Sequence, residues 1–163
     1  KEKTMSESSE DKSKRIFIEY LDSCNWQYQV SIFYQSYRSS RDAIEHSKEF
    51  RKWISRYHPH KILWRLALKN TESFYTPDAP KGKASVTMPY HTLFFTVKPD
   101  REKITEKFES ICRNEVKTKI RKLTPEKIDS YKNSVSNQKP HNLNMIFFER
   151  KINRFSIMNK DKT

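Results

Sequence analysis

Ser85-Val86-Thr87-Met88-Pro89-Tyr90-His91-Thr92-Leu93-Phe94-Phe95-Thr96-Val97 is the longest run of β-forming residues in the chain. β-Branched and aromatic side chains suit a pleated, half-buried surface, so this stretch reads as a central strand. A loop holding Pro77, Pro80 and Gly82, the only glycine, precedes it, and Pro99-Asp100 opens a helix after it.

The neighbours of this strand follow from periodicity. Before the loop, Lys61 to Lys69 places Ile62, Trp64, Leu66 and Leu68 on one face, which predicts a hairpin with the central strand. Further upstream, Trp26, Tyr28, Val30, Ile32 and Tyr34 alternate with mostly Gln and Ser, the period of another strand. Between them, Ser39-Ser40-Arg41-Asp42 offers a helix cap, and Ile44, Ser47, Phe50, Ile54 and Tyr57 follow at helical spacing. His58-Pro59-His60 ends that helix, because proline lacks the N–H that the next turn needs.

Downstream, Ile104, Phe108, Ile111, Cys112, Val116, Ile120 and Leu123 trace one buried stripe, which predicts a long second helix. Thr124-Pro125 starts a further helical segment carrying Ile128, Tyr131 and Val135. Asn142 to Glu149 reads as a fourth strand and Asn153 to Met158 as a fifth. The order is β-α-β-β-α-β, an α+β fold of ferredoxin-like topology: an antiparallel sheet, helices on one face and an extended second helix. Residues 1–15 are polar and Ser-rich and read as a disordered arm, residues 16–158 as a single domain, and residues 159–163 as a tail.

The 163 residues suffice for one core, and with 34% hydrophobic but 13% aromatic residues that core is built largely from rings. Thirty-three Lys and Arg against 20 Asp and Glu leave a net charge of +13, which points to a polyanionic partner, nucleic acid before membrane. A single glycine excludes a P-loop, a dinucleotide fingerprint and a kinase glycine loop. Cys24 and Cys112 stand alone, far from any CxxC, so neither a zinc ribbon nor a disulfide framework is indicated. With no apolar run of membrane-spanning length and no leader, a cytoplasmic or nuclear protein is expected.

Within this topology, Pro89-Tyr90-His91-Thr92-Leu93-Phe94-Phe95 resembles the central strand of the HUH endonucleases, the superfamily of rolling-circle replication initiators and relaxases. His91 stands where the second histidine of that motif falls, and Pro89 occupies the place of the first. Val30-Ser31-Ile32-Phe33 is similar to the first-strand motif of such initiators, and Trp64-Arg65-Leu66-Ala67-Leu68 to the strand before the histidines; the likeness spans residues 26 to 150. The resemblance implies binding of single-stranded or melted DNA. It also implies a divalent metal (Mg or Mn) held with His91, and Tyr131 as the nucleophile that attacks a phosphate. Glu72 is a conceivable carboxylate ligand.

Each of these residues has a plainer reading. His91 shares its face with Leu93, Phe95 and Val97 and suits a satisfied core histidine. His58 and His60 have chelating spacing, but they also suit a helix terminus, where imidazole complements the negative end. For the polyanion, the candidate contacts are Arg38, Arg41, Arg56 and Arg65, the loop lysines Lys81 and Lys83, and Lys119, Arg121 and Lys122, all expected at the surface. The partner expected from these features is nucleic acid, DNA before RNA. An RNA-binding or RNA-processing module on the same topology is one alternative. A non-enzymatic regulator that binds an acidic protein is another.

Overall fold

The computed structural model describes residues 9–58, 60–67, 89–137, 143–149 and 154–157. The elements run α1 (Ser9–Ser23), β1 (Tyr28–Tyr34), α2 (Ser40–Tyr57), β2 (Ile62–Ala67), β3 (Tyr90–Phe95), α3 (Arg101–Cys112), β4 (Val116–Lys122), α4 (Pro125–Asn137), β5 (Leu143–Glu149) and β6 (Arg154–Ile157). The strands form one sheet in the order β4-β1-β3-β2-β5-β6, and every neighbouring pair is antiparallel. The fold is α+β, and β3 lies between β1 and β2 as its β-rich composition demands.

Alternation along the strands divides the sheet into two faces. Val30, Ile32 and Tyr34 of β1, Ile62, Trp64 and Leu66 of β2, and Leu93 and Phe95 of β3 are buried with Phe50 and Ile54 of α2 and Ile104 and Phe108 of α3. Rings dominate this core: Phe50 meets Trp64 edge-on at 5.6 Å and Phe108 at 5.2 Å. On the other face, Leu63 and Phe94 pack with Phe17 and Leu21 of α1, Val135 of α4, and Trp26 and Leu123. Helices therefore cover both faces of the sheet, which corrects the expectation of helices on one face only. The second layer exists because Leu63 and Phe94, at the odd positions of β2 and the even positions of β3, are apolar as well.

Local signals set the helix ends. Ser39 Oγ accepts from the Asp42 N–H at 3.1 Å and opens α2, and the His58 N–H donates to the Ile54 carbonyl at 2.8 Å and closes it. Asp100 caps α3 through the Lys103 N–H, and Thr124 caps α4 through the Lys127 N–H, each at 3.2 Å.

Two further expectations are revised. The long second helix stops at Cys112, and Val116–Lys122 is a strand that pairs with β1 along its length. Cys112, Val116 and Ile120, four residues apart, satisfy both the helical period and the period of two. The chain breaks between them at Arg113, whose φ of 59° and ψ of 37° place it in the left-handed region that ends a helix. Once in a strand, Val116 and Thr118 face the core, while Lys117, Lys119 and Arg121 are exposed on the other side. Consequently Val116–Lys122 is the fourth strand of the β-α-β-β-α-β run, and Leu143–Glu149 extends the sheet beyond β2.

At the other end, Ser9 to Arg15 belong to α1 rather than to a disordered arm. Phe17 and Leu21 anchor that helix fully buried, and Lys14 Nζ reaches the Ser136 carbonyl of α4 at 3.2 Å. Residues 1–8 and 159–163 lie outside the described residues, as do residues 68–88 with Glu72, Lys81 and Lys83.

Candidate nucleic-acid interface

Helices α1 and α4 cover Leu63 and Phe94, and beside them the face formed by β1, β3 and β4 keeps a cleft of about 460 Å³. Register places three rows of side chains across it. The first runs Lys117, Phe33, Tyr90; the second Lys119, Ser31, Thr92, Arg65; the third Arg121, Gln29, Phe94.

In the first row, Phe33 and Tyr90 are half-buried and stacked on each other, with ring centroids 5.3 Å apart and planes 14° from parallel. Lys119 Nζ stands 5.8 Å from the Phe33 ring centroid, within cation–π range. Lys117, Lys119 and Arg121 form an exposed basic edge, since alternate residues of a strand share a face.

The floor is polar. Gln29 and Ser31 are each 9% exposed and Thr92 1%. Gln29 Nε2 donates to Ser31 Oγ at 3.2 Å, while Arg121 donates through Nε and Nη2 to Gln29 Oε1 at 3.3 and 3.2 Å. Tyr131 of α4 lines the same cleft. Its hydroxyl accepts from Arg65 Nη1 at 2.9 Å, and its ring packs on Phe17 and Phe94. Burial pushes the Tyr131 phenol above its ordinary range, with the adjacent guanidinium pulling in the opposite sense.

Arg65 is not a surface residue, contrary to expectation: it is 4% exposed. It alternates with core residue Trp64 and so points to the α4 side, where Tyr90 and Tyr131 meet its guanidinium at 3.4 and 2.9 Å.

His91 and Tyr131 lie on opposite faces of the sheet and do not form one reaction centre. His91 is fully buried among Tyr34, Trp64 and Phe108. Its Nε2 bonds Tyr34 Oη at 2.9 Å and its Nδ1 accepts from Trp64 Nε1 at 3.2 Å, so both ring nitrogens are committed. Burial, and secondarily His46, lower its pKa to about 3. The positions of β3 that do face the cleft carry Tyr90 and Thr92, so the metal implied by the HUH resemblance finds no histidine there.

His58 is buried against Phe95 at 4.9 Å, with the His60 ring 5.5 Å away, and burial followed by His60 lowers its pKa to about 4. Cys24 packs with the α1 and α4 layer, across the sheet from His58. Among the described residues there is no group of three or more His, Cys, Asp or Glu able to hold a metal ion.

The other basic candidates divide. Lys119 and Arg121 stand at the cleft, and Lys122 is exposed at the end of the same strand. Arg38, Arg41 and Arg56 belong to the α2–α3 side: Arg38 donates to the Cys112 carbonyl at 3.3 Å, and Arg56 rims a smaller hollow of about 220 Å³ with Trp53 and Lys107. The basic residues thus fall on two sides of the molecule. Phe33, Tyr90, Gln29 and Ser31 were not singled out by sequence as contact residues. The signal available was the second face of β1, where Phe33 follows Gln29 and Ser31 at a spacing of two.

Among the described residues no helix is long and apolar enough to cross a membrane. No family model matches the chain, and no curated protein or solved structure matches it.

Proposed function

We propose that this domain binds single-stranded nucleic acid, with DNA the first ligand, across the face of β1, β3 and β4. The observation that carries this reading is the stacked Phe33–Tyr90 pair, half-buried on a sheet face whose edge holds Lys117, Lys119 and Arg121. Bases stack on rings of this kind at about 1–3 kcal/mol each, while flexible cations follow the phosphates. The ferredoxin-like reading is supported by the β4-β1-β3-β2 order and by α2 and α3, which join β1 to β2 and β3 to β4. The preference for DNA comes from the likeness to replication initiators.

Nicking is a separate part of the reading and rests on Tyr131 alone. Its phenol lines the cleft beside a guanidinium, while His91 is on the other face.

The test is binding of fluorescent 20-mers, as single strands and duplex, across a salt series. Tight, steeply salt-dependent binding of single strands supports the proposal; equal affinity for duplex, or flat salt dependence, overturns it. The second reading is an RNA module, because sheet-borne aromatic pairs also serve unpaired RNA; tighter binding of the same sequence as RNA would establish it. A covalent protein–DNA adduct formed with Mn²⁺ and lost in Tyr131→Phe would establish nicking, and its absence from the wild type would remove it.

A further inference from the structure

We infer that the cleft beside Phe33 and Tyr90 is a base-reading pocket, and that it selects keto bases (guanine, thymine) over amino bases (adenine, cytosine). The inference rests on the nucleic-acid reading and adds to it the class of base recognised.

A volume of about 460 Å³ lies in the range of small-ligand sites and admits one unstacked nucleotide, whereas a double helix cannot enter. The pocket is built rather than incidental, since Gln29, Ser31 and Thr92 line it and are all nine-tenths or more buried. Its mouth carries the Phe33–Tyr90 stack, and its rim carries Lys119 and Arg121 for the flanking phosphates.

Hydrogen-bond polarity decides the selection. Gln29 Nε2 has two protons and spends one on Ser31 Oγ, leaving the second for a ligand. Ser31, the acceptor in that bond, keeps its own O–H to donate. The Gln29 carbonyl, which would welcome an exocyclic amine, already accepts both Nε and Nη2 of Arg121. The floor is therefore donor-rich. Guanine presents its O6 and thymine its O4, both acceptors, at the position where adenine and cytosine present an exocyclic amine; N7 is common to both purines and does not discriminate.

The experiment compares d(GT)6 with d(AC)6, matched in purine content, and dT12 with dC12, matched as pyrimidines. Wild-type protein is expected to bind the keto member of each pair at least about tenfold more tightly. Gln29→Glu turns the floor towards acceptors and is expected to erase or reverse the preference; Ser31→Ala is expected to reduce it severalfold with the fold intact by circular dichroism. Binding of all four oligonucleotides within about threefold overturns the inference and leaves the binding reading in place. Full preference in Ser31→Ala, or in a folded Gln29→Glu, overturns it equally. Failure of the wild type to bind any of the four overturns both.

Discussion

The indole N–H of Trp64 donates to Nδ1 of His91 across 3.2 Å, and that bond orients a hydrogen-bond chain through the core. An indole nitrogen can only donate, so Nδ1 is the acceptor and neutral His91 carries its proton on Nε2. Nε2 then donates to Tyr34 Oη at 2.9 Å, and the Tyr34 hydroxyl donates to Nδ1 of His46 at 3.0 Å. Each buried polar atom of the chain is satisfied only while both imidazoles are neutral.

Acid should destabilise the protein from an unusually high pH. His91 is lowered to about 3 and His58 to about 4, chiefly by burial, and His46 is lowered by burial and then by Arg38. An unfolded histidine titrates near 6.5, so between these values the unfolded chain binds more protons and stability rises with pH. For His91 and His58 the contribution is complete above about pH 6.5 and is lost as pH falls towards 3–4, each costing roughly 2 kcal/mol by pH 5; His46 acts in the same direction. Urea midpoints at pH 7.5, 6 and 5 check this. A stability that stays flat over that range contradicts it, and His91→Gln should reduce the slope.

Trp64→Phe keeps most of the ring contact with Phe50 but strips His91 Nδ1 of its donor. Leaving a buried acceptor unsatisfied costs about 1–3 kcal/mol. Because Tyr34→Phe breaks the next link, the two substitutions should be non-additive in a double-mutant cycle, read by chemical denaturation.

Charge reversal on β4 should weaken binding without unfolding the domain. Lys117 and Lys119 are exposed and lie opposite Phe33 and Ser31 on β1. Lys119→Glu is expected to lower single-strand affinity and to reduce the slope of log affinity on log salt by about 1. Lys48→Glu, on the exposed back of α2, is the control and should leave that slope near its wild-type value.

Ring removal should be non-additive. Phe33→Ala or Tyr90→Ala alone should cost about 1–3 kcal/mol of binding energy by anisotropy. The two rings stack on each other, so the double variant should lose less than the sum, because either single change already disrupts the platform.

Much of the scaffold was legible in the chain. The strands of the Trp26, Lys61 and Ser85 stretches, the Ser39 cap and the Thr124 cap all emerge from period and cap chemistry. The site was legible only in part. Lys119 and Arg121 were singled out for charge, yet they were assigned to a helix face, where their neighbours would have been different. Phe33 and Tyr90 are 57 residues apart and become partners only through the β1–β3 register, which no local pattern encodes.

By itself, then, the sequence determined that Tyr90 to Phe95 is a strand at the heart of an antiparallel α+β sheet, because alternation and β-forming side chains are local properties. Tertiary structure decided two things. It made Val116–Lys122 a strand, because residues spaced by four fit both periods until β1 supplies hydrogen-bond partners. It also sent His91 into the core and Tyr90 and Thr92 to the cleft, because a pleated strand has two faces and only the packed helices define which one each occupies.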